Sequence, residues 1–266
     1  MNIAIVGAGN VAWHLAKALQ KVGHTITTVY SRSKAHSEEL TKLLTDAVAT
    51  QSLDFSAIVA DVVLIAIPDA ALPGITQQIK VKPETIVAHT SGSQPLAVLE
   101  TIAGANYGVF YPLQTFSKLA TIDLEQVPFL IEGNTEATIN RLEQLAQTIS
   151  QKVERVDSDK RKQLHLAAVF ACNFTNHLLG ISQELLHNAA LPTDLLQPLI
   201  QETIKKAGMH NPYSVQTGPA VRNDQNVIDE HLRLLQQQPH LQAIYQLLTQ
   251  SIQATKDNNY SSDQSA

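Results

Sequence analysis

The sequence predicts an α/β protein: a doubly wound parallel sheet followed by an all-helical domain. Three observations predict it. An apolar strand, Ile3 to Val6, runs into Gly7-Ala8-Gly9-Asn10-Val11-Ala12 and then into an apolar helix. Strand and helix patterns alternate from there to about residue 156, as in parallel sheets built with right-handed crossovers. Past that point the strand patterns stop and long helical ones replace them.

Each element has its own signal. Residues 2–7 are the first strand and 10–22 the first helix, which Gly23 ends because glycine tolerates a left-handed backbone. The Thr/Val-rich residues 25–30 suit a second strand, 34–44 a helix and 47–50 a short third strand. Val62-Val63-Leu64-Ile65-Ala66-Ile67 is an unbroken apolar run that suits a strand covered on both faces, and Pro68 ends it. A short helix near 71–79 leads to a strand at 85–89. Further strands are expected at 107–111, 128–131 and 152–156, with a helix at 135–150. Asp157-Ser158-Asp159 is an acidic, capping start for a helix of about thirty residues, which Leu191-Pro192-Thr193 breaks. Helices are expected over about 193–207, 224–237 and 240–255. The chain thus divides into a dinucleotide-binding sheet domain at 1–156, a helical domain at 157–255 and a polar, disordered tail at 256–266.

Composition narrows the function classes. The chain has 266 residues, 44% of them hydrophobic, enough for a substantial core. A net charge of −5 without a basic block argues against nucleic acid as a partner. The single cysteine, Cys172, excludes an intramolecular disulfide, and no metal site is expected. No apolar run reaches membrane-spanning length, and no basic apolar leader precedes the first strand. The expectation is a cytoplasmic protein with no membrane partner.

The glycine turn has the G-x-G-x-x-G/A pattern of a dinucleotide-binding strand–turn–helix, the Rossmann-type context. Gly7 permits the tight turn, Gly9 lets a diphosphate approach the backbone, and Ala12 lets the helix pack on the strand. The helix start, with Ala8, Asn10 and Val11, would face the phosphates with its unpaired N–H groups. After the second strand, where an acid usually holds a ribose 2′-hydroxyl, the chain has Ser31-Arg32-Ser33. Arg32 offers a guanidinium fork to a 2′-phosphate, with hydroxyl donors on either side. NADP(H) is therefore the expected cofactor, and Ile67 and Pro68 at the next strand end are expected to line it.

Other polar groups mark candidate chemistry. His89-Thr90-Ser91-Gly92-Ser93 lies at a strand end, where it forms either a ligand contact through Ser91 or a turn with Ser93 as a helix cap. Tyr111, followed by Pro112 and Gln114, either orients a substrate or donates a proton to it, or packs as an aromatic at a domain hinge. The long helix is apolar nearly all round, through Leu164, Leu166, Phe170 and Phe174, so it must be buried on several sides. Its own domain is too small to cover it, and a homodimer is predicted. His165, Asn173, Asn176 and His177 interrupt that run; they either satisfy one another and the dimer or face a cleft and a ligand. His165 and Asn176 are eleven residues apart and share a face of an α-helix, with Asn173 beside them. Imidazole exchanges protons near neutrality, which makes His165 the candidate acid or base. Arg222, in the turn after Thr217-Gly218-Pro219, could clamp a substrate carboxylate or a partner subunit, with Asn223 or Asp224 capping the next helix.

These motifs, in this order across residues 7–231, carry a resemblance. They are the glycine turn, Ser31-Arg32-Ser33, His89 to Ser93, Tyr111 to Phe116, His165-Leu166-Ala167-Ala168 ending in Asn173-Phe174, and Thr217-Gly218-Pro219 with Arg222 and Asp224. The chain resembles the NADP-dependent oxidoreductases that have a Rossmann-like N-terminal domain and a helical C-terminal domain of unknown function. It is more distantly similar to pyrroline-5-carboxylate reductase, prephenate dehydrogenase and the β-hydroxyacid dehydrogenases. Tyr111 stands where members of the family often have a histidine that matches the His-Pro of prephenate dehydrogenases. The helical lysine of the β-hydroxyacid dehydrogenases, four residues before an asparagine, is replaced here by Val169 or Cys172, so His165 would have to act in its place.

The combined expectation is an NADP(H)-dependent oxidoreductase acting on a small carbonyl or imine in an interdomain cleft. His165 transfers the proton, with Tyr111 and Ser91 beside the reacting atoms. Asn173, Asn176, Gln114 and Arg222 place the substrate. Two other readings stand beside it: a non-catalytic NADP(H) sensor, in which His165 would be sealed in the core, and a deazaflavin-dependent NADP reductase.

Overall fold

The apolar strand patterns assemble into one sheet. The computed structural model describes residues 1–263, with side chains described to residue 255. Its strands are β1 (Asn2–Val6), β2 (Thr25–Tyr30), β3 (Val48–Thr50), β4 (Val62–Ile65), β5 (Ile86–His89), β6 (Asn106–Pro112), β7 (Phe129–Gly133) and β8 (Val153–Arg155). They lie in the order β3-β2-β1-β4-β5-β6-β7-β8, parallel except for the antiparallel pair β6–β7. The order reverses between β1 and β4, so the connections leaving the carboxyl ends of these strands diverge and open a crevice there.

Helices cover both faces. In the sheet unit they are α1 (Asn10–Lys21), α2 (Lys34–Thr41), α3 (Leu72–Thr76), α4 (Glu136–Gln147) and α5 (Ser158–Ala168). Gly23 ends α1 in the expected left-handed conformation, with φ +92°. The helix expected near 71–79 is shorter: a 3₁₀ turn at Asp69–Ala71 and then α3, where Pro73 and Gly74 follow Leu72 at once. One core lies against α1 and α4, with Ile3, Ile5, Leu15, Phe110 and Leu142. The other lies against α3, with Ala4, Val6, Val63, Ile65 and Leu72. Each large side chain buried this way contributes about 1.5–3 kcal/mol, and β4 and β5 are buried at every position, so the sheet unit carries a core of its own.

Asp157 caps α5 as expected, accepting a hydrogen bond from the Lys160 amide at 2.9 Å. A π-helical turn at Val169–Phe174 comes after α5, and α6 (Thr175–Asn188) completes a 31-residue helix, Ser158–Asn188. The chain divides into compact units Met1–Leu179 and Gly180–Ala266, so the sheet unit includes the first two-thirds of this helix. The second unit contains α7 (Gln197–Met209), α8 (Pro219–Arg222), α9 (Gln225–Leu234) and α10 (Pro239–Asp263). The last helix runs past the expected limit of 255, and residues 264–266 of the expected tail lie outside the described residues.

One expectation about the long helix needs correction. By length and composition, Ser158–Asn188 is apolar enough to cross a membrane, because an average over a helical window tolerates the interspersed polar residues that break an uninterrupted run. None of its most apolar window is buried in the single chain, and Phe170 and Phe174 are 62% and 49% exposed. The second unit has Ala220, Ile228, Leu235 and Leu241 as its buried apolar side chains among the described residues.

The start of α5 is anchored by a charge inside the sheet unit. Arg161 is fully buried. Its Nη1 donates to Glu132 of β7 at 2.5 Å, and its Nη2 donates to the Gln94 carbonyl at 2.6 Å and to Ser158 Oγ at 3.2 Å. Ser158 in turn donates to Glu132 at 2.8 Å and accepts from the Leu96 amide at 2.9 Å. His89, at the end of β5, is equally buried. Its Nδ1 accepts from the Ser91 amide at 3.1 Å, so the proton of the neutral ring is on Nε2, which has no hydrogen-bond partner among the described residues. Burial, and then the nearby Arg161 charge, push this imidazole down from 6.5 to about 4.

An unfolded chain with an ordinary histidine binds more protons than the native state between those two values. Stability from His89 is therefore complete above the ordinary value and is lost as pH falls toward 4. Between pH 7.5 and 5 the loss from this group is about 2 kcal/mol, measurable by urea unfolding at the two pH values. His89→Asn keeps an acceptor for the Ser91 amide and is expected to abolish this part of the acid slope. An unchanged slope would show that His89 is not its source.

Candidate active site

The glycine turn folds as its residues require. Gly7 has φ +124° and donates its amide to the Tyr30 carbonyl at 2.8 Å; a Cβ on it would lie 2.0 Å from the Ala66 carbonyl oxygen. Only glycine fits between β1 and the end of β4. At Gly9 the opposite holds: nothing lies within 4 Å of where a Cβ would be. Gly9 is also the residue before α1, and no side chain caps that helix. A helix end of this kind attracts phosphate through both its free donors and its dipole.

A crevice of about 550 Å³ lies over this turn. Of the residues singled out in the sequence, Gly7, Ala8, Gly9, Ser31, Arg32, Ile67 and Pro68 line it. Asn10, Val11 and Ser33 are not among its lining. The Asn10 side chain turns to the Phe116 carbonyl at 3.0 Å, Val11 packs on the core, and Ser33 precedes α2 with its amide on Ser31 Oγ at 3.2 Å. Arg32 is exposed at the end of β2. Sequence reasoning missed His36 and Lys118, which also line the crevice.

A second constellation forms at the end of β6. Tyr111, 9% exposed, shares a hydrogen bond of 3.1 Å between its hydroxyl and Nδ1 of His165, and the rings meet edge to face at 6.1 Å. Burial holds the Tyr111 phenol above its ordinary value, so it stays protonated. His165 is half-buried on α5, one turn after Arg161, so the buried guanidinium that fixes the start of α5 also fixes this imidazole. Gly92 closes against the pair: a Cβ there would lie 2.6 Å from His165 Nδ1 and 2.8 Å from Tyr111 Cζ.

The segment carrying Gly92 is held by its own hydroxyls. Ser91 Oγ accepts from the amides of Ser93 and Gln94 at 3.1 and 3.0 Å, while Ser93 donates to Asp69 at 2.5 Å. Ser93 is therefore not the helix cap expected from the sequence. The next element is a 3₁₀ turn, Leu96–Leu99, whose Leu96 amide goes to Ser158 Oγ, while Ser91 takes the two amides before it.

Among the described residues, no hydrogen bond joins the remaining sequence candidates to the pair. Asn173, Asn176 and His177 are exposed. The π turn between His165 and Asn176 fits more residues into each turn, so their eleven-residue spacing does not keep them on one face as it would in an α-helix. Gln114 is exposed, its Oε1 accepting from the neighbouring Thr115 amide at 2.7 Å. In the second unit, Arg222 is exposed at the end of α8, Asn223 is left-handed, and Asp224 caps α9 through the Val227 amide. Among the described residues no group of three or more His, Cys, Asp or Glu is arranged to hold a metal ion.

Comparison with known proteins agrees with this architecture. Residues 1–112 match the model of the Rossmann-like domain, and residues 127–252 match DUF2520, a domain of unknown function. No curated protein matches the chain. Among solved structures, a Bacteroides fragilis protein provisionally named an NADP oxidoreductase is 41% identical, with TM-score 0.86 over 95% of this chain and 98% of that one. An imine reductase from Myxococcus stipitatus, in complex with NADP⁺, is 16% identical, with TM-score 0.65 over 98% and 95% of the two chains. A 1-pyrroline-5-carboxylate reductase from Streptococcus pyogenes is 14% identical, with TM-score 0.60 over 96% and 98%. The last two share the fold. By its two domains and its likeness to the Bacteroides protein along nearly the whole length of both, the chain belongs to the family in which a Rossmann-like domain is followed by DUF2520.

Proposed function

We propose that the protein is an NADP(H)-dependent oxidoreductase that reduces a small carbonyl or imine, or oxidises the corresponding alcohol or amine. The observation that carries this reading is a pair of features in one unit: an uncapped helix start beneath an open Gly9, and a protonated Tyr111 hydrogen-bonded to a half-buried His165. The name of the Bacteroides relative supports the coenzyme. Gly7, Gly9 and the first amides of α1 would hold the diphosphate, and Arg32 with Ser31 the 2′-phosphate. Bound NADPH supplies a hydride, which the protein itself lacks.

The chain's own residues supply the proton. The Tyr111 hydroxyl donates it to the oxygen or nitrogen of the substrate, and His165 restores it through the shared hydrogen bond. Gly92 walls the pair on one side, Ser91 holds the segment that carries Gly92 and is assigned to contact the substrate or the nicotinamide, and Asn173, Asn176, Gln114 and Arg222 are assigned to placing the substrate. A non-catalytic sensor would gain nothing from a half-buried imidazole paired to a phenol; sealing His165 in the core would suit it better. We also propose that a second copy of the chain covers the apolar helix Ser158–Asn188, and that residues 1–156 and 157–255 act as coenzyme and helical domains.

Three measurements test these assignments. Calorimetric titration should show NADPH binding at least about tenfold tighter than NADH. Gly9→Ala, which meets no neighbour, should fold normally and lose coenzyme binding, while Arg32→Asp should erase the preference for NADPH. Binding of neither coenzyme by the wild type would refute the reading. In a screen of ketoacids, aldehydes and imines followed by NADPH absorbance, Tyr111→Phe should lower kcat about 10²–10⁴-fold with KM little changed, the usual range for a lost acid. Sedimentation in detergent-free buffer at micromolar concentration should give a dimer; a monomer would refute the second copy.

A further inference from the structure

The loop between β6 and β7 reaches back to the start of α1. Asn10 donates to the Phe116 carbonyl at 3.0 Å, the ring Nε2 of His14 meets the Ser117 carbonyl at 2.8 Å, and the His14 and Phe116 rings lie 5.5 Å apart. His14 is buried, so this strap is pinned by a group that loses a partner if the loop lifts. The next residue, Lys118, is thereby fixed between two helices. Its ammonium lies 4.3 Å from the ring centroid of Trp13 on α1 and 3.0 Å from Glu39 on α2, with its side chain 29% exposed. It lines the same crevice as Arg32 and His36, although β6 is four strands away from β2 in the sheet.

We propose, building on the coenzyme reading above, that Lys118 is a second cation for the 2′-phosphate of NADP(H) and sets the preference for that coenzyme together with Arg32. An ammonium has three donors. One is used by Glu39, and the Trp13 face takes the charge from one side, which leaves donors for an anion entering the crevice. Glu39 orients the lysine and, being half-exposed, is screened from the phosphate by solvent. The strap adds a consequence: coenzyme preference depends on a loop outside the strand–turn–helix that carries the glycine motif.

The test is calorimetric titration of the full-length protein with NADPH and NADH. Lys118→Met keeps an aliphatic stem over Trp13 and removes the charge. It is expected to raise the Kd for NADPH about tenfold and leave that for NADH within about twofold. Lys118→Arg should restore the NADPH Kd to within about threefold of wild type. Equal weakening of both coenzymes would overturn the proposal, since the lysine would then serve the strap alone. No change in either would also overturn it while leaving Arg32 as the determinant. A wild-type protein that binds neither coenzyme would remove the coenzyme reading itself, an outcome distinct from both.

Discussion

The active-site half of this molecule depends on one buried charge. Arg161 has no exposed surface, and it joins three separate pieces of chain: Glu132 in β7, the Gln94 carbonyl after β5, and Ser158 at the start of α5. Removing a guanidinium from water costs several kcal/mol, and only a close carboxylate and further acceptors offset it. Nη1 and Nη2 find such acceptors while Nε has none, so the geometry that holds Arg161 is narrow, and it dictates where α5 starts relative to β6. His165 reaches the Tyr111 hydroxyl because of it. The same positive charge helps keep His89 neutral at the end of β5.

The crevice over the glycine turn rests on a different constraint, the absence of side chains. Gly7 must be glycine because β4 passes too close for a Cβ, whereas Gly9 is glycine although nothing touches it. Open space at a helix start that no side chain caps has no structural use, since any small residue would fit and a serine or aspartate would cap better. The contrast separates a glycine required by the fold from one that leaves open the space where the proposed coenzyme would lie.

Much of this was legible in the sequence. The alternation of apolar strands and helices specified the sheet unit, because a parallel sheet buried on both faces demands unbroken apolar runs such as Val62 to Ile65. The Asp157 cap and the Gly23 stop were equally plain, since both act through neighbouring backbone. Arg161 was not legible. It sits in the run Asp159-Lys160-Arg161-Lys162, which reads as a solvated face, and the side chains of Lys160 and Lys162 are indeed exposed. Only partners twenty-nine and sixty-seven residues away distinguish it from its neighbours. The π turn was hidden for a similar reason: helical spacing assumes one pitch throughout, and a local change of pitch has no compositional mark.

The sequence by itself determined the strand–turn–helix, the helical second half and the residue types available for chemistry, because these depend on local backbone preference and hydrophobic period. Tertiary structure alone decided which of those residues meet. It paired Tyr111 with His165 across fifty-four residues, put a π turn between His165 and Asn176, and carried Lys118 to a crevice built by strands far from its own. Such meetings depend on long-range packing and on the satisfaction of a buried charge, and neither leaves a periodic trace in the chain.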